Sequence, residues 1–309
     1  MDRWSAKQLV SASLKVGMRR GEPSIRENIC VVPLFSHEPL EPIYPTLKEA
    51  LRRGEVEVQE GLGMSELLLT NKGGGAILVL QGQELLGRSQ HRQVNVSLLA
   101  APGPTKIPVT CLQELRGLSY GSAFYWGQFT YPAIRSDTIS STSCSLWAGN
   151  GWRADQTEVW RRISDYYEKS NLDHAQYVRH HGSLRAVSEA IQRQSKFQEL
   201  VGAFSCAEGQ CGAVFVEGTE VVAMEFTGSP VTWSEVHDDV VSSFIYGSLL
   251  AGSGRPVGAE GLEALLTKFA VSLEDMEVSI HRGIGLGFNV RIRLKGYIGE
   301  SLIYQGHVL

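Results

Sequence analysis

Between residues 29 and 115 the apolar positions come in short runs cut by Gly, Pro and Asn. Cys30 to Phe35 is one such run; Val56 to Leu62, Glu66 to Asn71, Ala76 to Leu80, Val94 to Ala101 and Ile107 to Leu112 are the others. Each has strand length and stops at a breaker, so each is read as a β-strand. One helix is predicted among them, over Thr46 to Arg53, with Leu47 and Leu51 at i, i+4, Pro45 and Thr46 at its start and Gly54 at its stop. Many short strands at close spacing predict an antiparallel sandwich or open barrel rather than a doubly wound parallel sheet.

Residues 117 to 151 are rich in Gly, Ser and aromatics and show no clear period, which predicts a long loop or bridging segment. Its rings, Phe124, Tyr125, Trp126, Phe129 and Tyr131, either anchor it on the β core or line a ligand face. From 155 to 200 the pattern turns helical. Asp155 and Glu158 have capping-box spacing ahead of Val159, Ile163 and Tyr166, and a second helix is predicted from Ser183 with Leu184, Val187, Ile191 and Phe197 on one side. His174, His180 and His181 lie between the two helices without carboxylates at ligand spacing, so they are read as solvated turn residues rather than a metal set.

Gly212 to Glu217 and Glu220 to Phe226 form a predicted hairpin turning at Gly218 and Thr219. A long helix follows, opened by the Thr232 and Glu235 pair and carrying Trp233, Val236, Val240, Phe244 and Leu249 as its buried stripe. A shorter helix over Leu262 to Phe269 precedes strands at Met276 to Arg282, Leu286 to Leu294 and Ser301 to Leu309. The fold class is therefore α+β: an antiparallel β-rich N-terminal layer, a helical middle, and a C-terminal strand and helix region. Residues 1–28 are expected to be a helix or tail. Residues 29–309 are expected to form a single elaborate domain, β-rich over 29–150, helical over 151–205 and mixed over 206–309.

Composition narrows the function classes. A hydrophobic share of 43%, a charged share of 20% and a formal net charge of −4 describe a globular chain with no electrostatic footprint for nucleic acid. The first residues lack a continuous apolar h-region, and no stretch reaches the length of a membrane span, so a cytoplasmic protein is expected. The five cysteines are irregularly spaced, which predicts thiols rather than disulfides and no zinc set; neither a metal nor a cofactor is expected. Gly283, Gly285 and Gly287 resemble a fragment of a dinucleotide loop, but an alternating strand rather than a helix follows them, which makes them a connection between strands. The opposite face of that strand carries Asn289, Arg291, Arg293 and Lys295, with His281 nearby, and could receive an anion.

The densest chemistry lies in G-Q-E-L-L-G-R-S-Q-H-R-Q-V-N, residues 82 to 95. Alternation puts Gln90 and Arg92 in line with Val94, Val96 and Leu98, and His91, Gln93 and Asn95 on the other side. An inward guanidinium needs an acidic partner, and Glu84 is the expected one. The cluster is either a ligand site or a buried ion pair that fixes the turn. Cys111, in an apolar strand, is read as a small core residue, although Arg116 just beyond it could support a thiolate.

These residues also carry a family resemblance. The strings L-K-E-A-L-R-R-G-E-V-E-V-Q-E, G-Q-E-L-L-G-R-S-Q-H-R-Q-V-N and I-P-V-T-C-L-Q-E-L-R resemble the ARG and rhodanese-phosphatase-superfamily-associated protein domain, with Glu84, Gln90, Arg92, Asn95, Cys111 and Arg116 on motif positions. The chain departs from the pattern at His91, where the family commonly has Asn, and at Gly117, where it commonly has Trp. The resemblance implies an association with ADP-ribose and NAD-linked pathways and assigns no reaction. On this reading Arg92 and Arg116 hold oxyanions, Gln90 and Asn95 orient hydroxyl or amide groups, and Glu84 positions Arg92 or acts as a general base. The small anionic ligand would be ADP-ribose-like. The rival expectation is a non-catalytic scaffold that docks on a protein partner through the rings at residues 120 to 131.

Overall fold

The computed structural model describes residues 18–37, 43–61, 63–88, 90–115, 123–252, 258–272, 277–282, 284–286, 288–294, 297–304 and 307–308. The chain divides into two compact units. One comprises Met1–Ile43, Gln198–Arg282 and Gly287–Leu309, the other Tyr44–Phe197 and Gly283–Leu286. The fold is α+β with antiparallel sheets, as the spacing of short strands predicts. Among the described residues no helix is long and apolar enough to cross a membrane.

The first unit begins with β1 (Met18–Arg20), β2 (Ser24–Arg26) and β3 (Ile29–Ser36), so part of the expected N-terminal helix or tail is strand, while residues 1–17 lie outside the described residues. Both short strands pair with β3.

The second unit holds the functional motif. Helix α1 (Leu47–Arg52) is capped by Thr46, whose hydroxyl accepts from Glu49 N. Then come β4 (Val56–Glu60), β5 (Glu66–Asn71), β6 (Ile77–Val79), β7 (Gln83–Leu86), β8 (Arg92–Val94), β9 (Leu98–Ala100), β10 (Gly103–Cys111) and β11 (Tyr125–Phe129). Six of these form one sheet in the order β11-β7-β8-β10-β5-β4, antiparallel throughout. The sheet curls until its edges meet: Gln59 of β4 bridges Ala123 just ahead of β11, and Phe124 N donates to Val58 O at 2.9 Å. This is the open barrel of the two predicted alternatives. Its inner face is the core, with Val56, Val58, Leu67, Leu69, Leu85, Val94, Ile107, Val109 and Phe124 buried together with Leu47 and Ala50 of α1.

The run from Val94 to Ala101 is not one strand. It leaves the barrel after Val94, and β9 pairs with β6 in a separate two-stranded ladder. Leu286 N donates to Leu99 O at 2.8 Å beside that ladder. Gly285 is required there: its φ is +79°, and a β-carbon would lie 2.3 Å from Leu99 O. The glycine run is thus a close backbone approach rather than a phosphate loop, with Gly283 and Gly287 outside the described residues.

Over residues 123 to 151 the segment expected to be a loop is not one. Residues 116–122 lie outside the described residues, but the rest is β11 followed by α2 (Pro132–Trp147). The Ser and Thr residues that hide its period also explain it. Thr142 and Ser143 return their hydroxyls to the carbonyls of Thr138 and Ile139 at 2.7 Å, and Thr138, Thr142 and Ser143 are buried. The buried stripe of this helix is partly polar because the sheet face it covers is polar. The anchoring alternative for the rings holds for Phe124, Phe129 and Tyr131, which are buried, whereas Tyr125 is 68% exposed.

Helix α3 (Gln156–Lys169) starts at the predicted Asp155 cap, whose carboxylate accepts from Thr157 N and Glu158 N. α4 (His174–Arg179) occupies the segment expected to be a turn, with His174, His180 and His181 exposed. Among the described residues no group of His, Cys, Asp or Glu could hold a metal. α5 (Leu184–Gln192) and α6 (Ser195–Ala203) follow, and α5 buries Leu184, Val187 and Ile191.

The first unit resumes with β12 (Gln210–Glu217) and β13 (Glu220–Phe226), the predicted hairpin, with β12 also paired to β3. α7 (Pro230–Ala251) starts earlier than expected: Ser229, not Thr232, is the cap, accepting from Thr232 N, and Pro230 takes the first turn where its missing N–H costs nothing. After α8 (Ala259–Ser272) come β14 (Glu277–Arg282), β15 (Phe288–Leu294), β16 (Tyr297–Tyr304) and β17 (His307–Val308), a four-stranded antiparallel sheet. Register sets Glu277 opposite Arg293 and Glu300 opposite Arg291, so the sequence expectation of a cationic face meets acidic residues at the partner positions.

Candidate functional site

Antiparallel order brings the ends of β4, β7 and β10 together with the starts of β5, β8 and β11 at one end of the barrel. Residues directly opposed in an antiparallel pair share a face. Register pairs Arg92 with Leu85 on one side and with Cys111 on the other, so Arg92 points inward with them. It is fully buried. Its Nη1 donates to Gln90 Oε1 at 2.6 Å, and its Nη2 lies 3.6 Å from Glu60 Oε2, whose side chain is also buried. The fork formed by Nε and Nη2 makes no hydrogen bond. Cys111 Sγ donates to the same Gln90 oxygen at 3.4 Å. Burial raises the Cys111 thiol pKa, with Arg92 pulling the other way, which suits a core thiol and not a resting thiolate.

This layer is held from outside by backbone clamps. Gln113 Oε1 accepts from His91 N at 2.9 Å, and Gln156, the first residue of α3, accepts from Cys111 N and donates to Cys111 O, both at 2.8 Å. The side-chain amide of Gln156 thus continues the hydrogen-bond ladder of β10 as a peptide group of a neighbouring strand would.

Glu84 is elsewhere. Its register partner is Gln93, so it projects from the outer face of the barrel wall, away from Arg92. That face is a buried polar seam. Gln93 Nε2 donates to Thr138 Oγ1 at 2.7 Å and Gln93 Oε1 accepts from Thr130. Gln128 Nε2 donates to Ser188 Oγ at 2.8 Å, and the Tyr131 hydroxyl meets the same Ser188 oxygen at 2.7 Å. Glu84 is fully buried among these elements, yet neither carboxyl oxygen has a hydrogen-bond partner. Burial pushes its pKa up to about 7; Arg185 opposes that rise and Glu189 adds to it. Replacing Thr138 by Val leaves Gln93 Nε2 without its acceptor, so the variant should lose about 1–3 kcal/mol in urea unfolding.

The expected cluster is therefore two clusters. Gln90, Arg92 and Cys111 come together inside the barrel; Glu84 and Asn95 do not join them. Asn95 follows its alternation outward, where its Oδ1 accepts from Thr110 Oγ1 at 2.6 Å and its Nδ2 donates to Trp152 O at 3.1 Å. Arg116 lies outside the described residues. The acidic partner that Arg92 requires is Glu60, not Glu84. Its signal was present: Val56, Val58 and Glu60 alternate onto one face of β4, and the third member of an inward row was a carboxylate.

The family model of the ARG and Rhodanese-Phosphatase-superfamily-associated Protein domain matches residues 17–309. No curated protein and no solved structure matches the chain.

Proposed function

We propose that this chain, which belongs to the ARG and Rhodanese-Phosphatase-superfamily-associated Protein domain family, binds a small nucleotide-like ligand of the ADP-ribose or NAD class through an oxyanion seated on Arg92. The observation that carries this reading is the Nε and Nη2 fork of a fully buried arginine making no hydrogen bond. That pair of donors matches two oxygens of a phosphate or carboxylate side-on, and barrel ends are a common place for small-molecule sites. Gln90, already on Nη1, would hold the guanidinium in plane. The family's association with ADP-ribose and NAD-linked pathways supports the ligand class.

Binding rather than chemistry is what this geometry favours. Glu84, the expected general base, stands on the other face of the same wall, and Glu60, the carboxylate that does stand beside Arg92, lies 3.6 Å from its Nη2 as a counter-charge. The docking alternative draws less support, because Phe124, Phe129 and Tyr131 are spent on the core. Since Arg92 is buried, the barrel end must part to admit a ligand.

The test is thermal-shift and calorimetric titration with ADP-ribose, NAD, AMP and inorganic phosphate, on the parent and on Arg92→Lys, which keeps the charge and loses the fork. A ligand at ~100 times its dissociation constant adds about 2.7 kcal/mol of stability. The parent should show such a shift with one of the nucleotides, and folded Arg92→Lys should lose most of it. No shift with any ligand, or an equal shift in the variant, would overturn the assignment.

A further inference from the structure

We propose that Glu84 anchors a second site, on the outer face of the barrel wall, for a compact cation carrying N–H donors: ammonium or a primary ammonium group. The inference does not rest on the oxyanion reading, because Arg92 faces the other side of the sheet.

Four observations converge on Glu84. It is fully buried and both of its oxygens lack a hydrogen-bond partner. The neighbours that could turn toward it are committed elsewhere: Gln93 to Thr138 and Thr130, Gln128 to Ser188, and Tyr131 to Ser188. The strand opposite is irregular at this point, since pairing of β11 with β7 shifts register between Trp126 and Phe129, and bulges of this kind recur beside functional sites. Inside that shift sits Gly127, where a β-carbon would come 2.9 Å from Glu84 Oε2, so a bare backbone is what lets the carboxyl lie there.

That leaves both oxygens open to a small donor from outside the protein. Charge selects its sign. The charged groups that act on Glu84 are Arg185 and Glu189 of α5, which pair with each other at 3.2 Å; Arg185 favours the ionised form and Glu189 opposes it. The one cation that acts on an ionised Glu84, Arg185, is shared with Glu189, and a bound cation would supply a full counter-charge while filling both acceptors. Because the buried carboxyl holds its proton until about pH 7, the cation must displace that proton, and its affinity should rise with pH across that region.

The experiment compares melting temperatures in ammonium, methylammonium, potassium and tetramethylammonium chlorides at equal ionic strength, at pH 5.5 and pH 8, for the parent and for Glu84→Gln. In the parent at pH 8, ammonium or methylammonium should raise the melting temperature by about 2 °C or more over tetramethylammonium, and the gain should shrink at pH 5.5. Glu84→Gln should show no such gain at either pH. Equal melting in ammonium and tetramethylammonium overturns the site, as does a gain that survives in Glu84→Gln. Potassium matching ammonium overturns the N–H assignment. The parent comparison needs no variant, so it stands even if Glu84→Gln folds poorly.

Discussion

Arg92→Met should cost the protein about 3–5 kcal/mol in urea unfolding, and a companion change at Glu60 should recover most of it. The two side chains face each other inside the barrel with almost no exposure. Removing the guanidinium takes from a buried carboxylate the cation that stands 3.6 Å from it, and that loss of compensation in the core sets the size of the effect. Glu60→Leu alone strands the arginine and should be comparably damaging. In Arg92→Met/Glu60→Leu neither charge is left, and the added apolar volume joins a core already lined by Val58, Leu67 and Leu85. A double-mutant cycle reads the coupling directly. A loss below about 1 kcal/mol for either single change would show that the pair is solvated rather than sealed.

Glu84→Gln should do the opposite, and only above mildly acidic pH. In the folded protein burial raises the Glu84 pKa from its ordinary 4.5 to about 7. Below 4.5 the carboxyl is protonated whether the chain is folded or not, and it contributes no penalty. Between 4.5 and 7 the folded state holds a proton that the unfolded state has released, so stability falls as pH rises, levelling off above 7. The full difference is about 3 kcal/mol at 1.36 kcal/mol per pKa unit. Glutamine cannot ionise. At pH 5 the variant and the parent should unfold at similar urea concentrations, and at pH 8 the variant should be the more stable of the two by up to about that amount. A gap between them that stays constant from pH 5 to pH 8 would show that Glu84 titrates normally.

Three of the six barrel strands, β4, β5 and β10, were legible as short apolar runs, whereas β7, β8 and β11 were not read as strands, and the buried polarity of Gln90 and Arg92 was legible because it interrupts an inward row. What joins them was less so. Whether Glu84 and Arg92 share a face depends on how many residues the turn between β7 and β8 consumes. The residues there, Gly87 to His91, carry no two-residue hairpin signature that would fix it. Helix α2 was hidden for a different reason: pattern reading looks for an apolar stripe, and this helix meets the barrel through Thr138 while burying Thr142 and Ser143 as well. A helix whose buried side is polar can be recognised only together with the polar strand face it covers, here that of Gln93 and Thr130.

The closure of the barrel sets where its buried end is cheapest to expose. Along β5 the wall is sewn on both sides by ladders five or six residue pairs long. Between β4 and β11 the described residues supply one bridge and the Phe124 to Val58 bond. The ladder between β7 and β8, which carries Arg92 itself, has two residue pairs, so a cylinder zipped this unevenly parts there before the ladders along β5 fray, because local opening follows the least protected hydrogen bonds. Arg92 stands on one lip of that seam, opposite Leu85 on the other. The doorway to Arg92 would then be a slit in the wall, and the rate of entry would be set by how often two strands let go of each other.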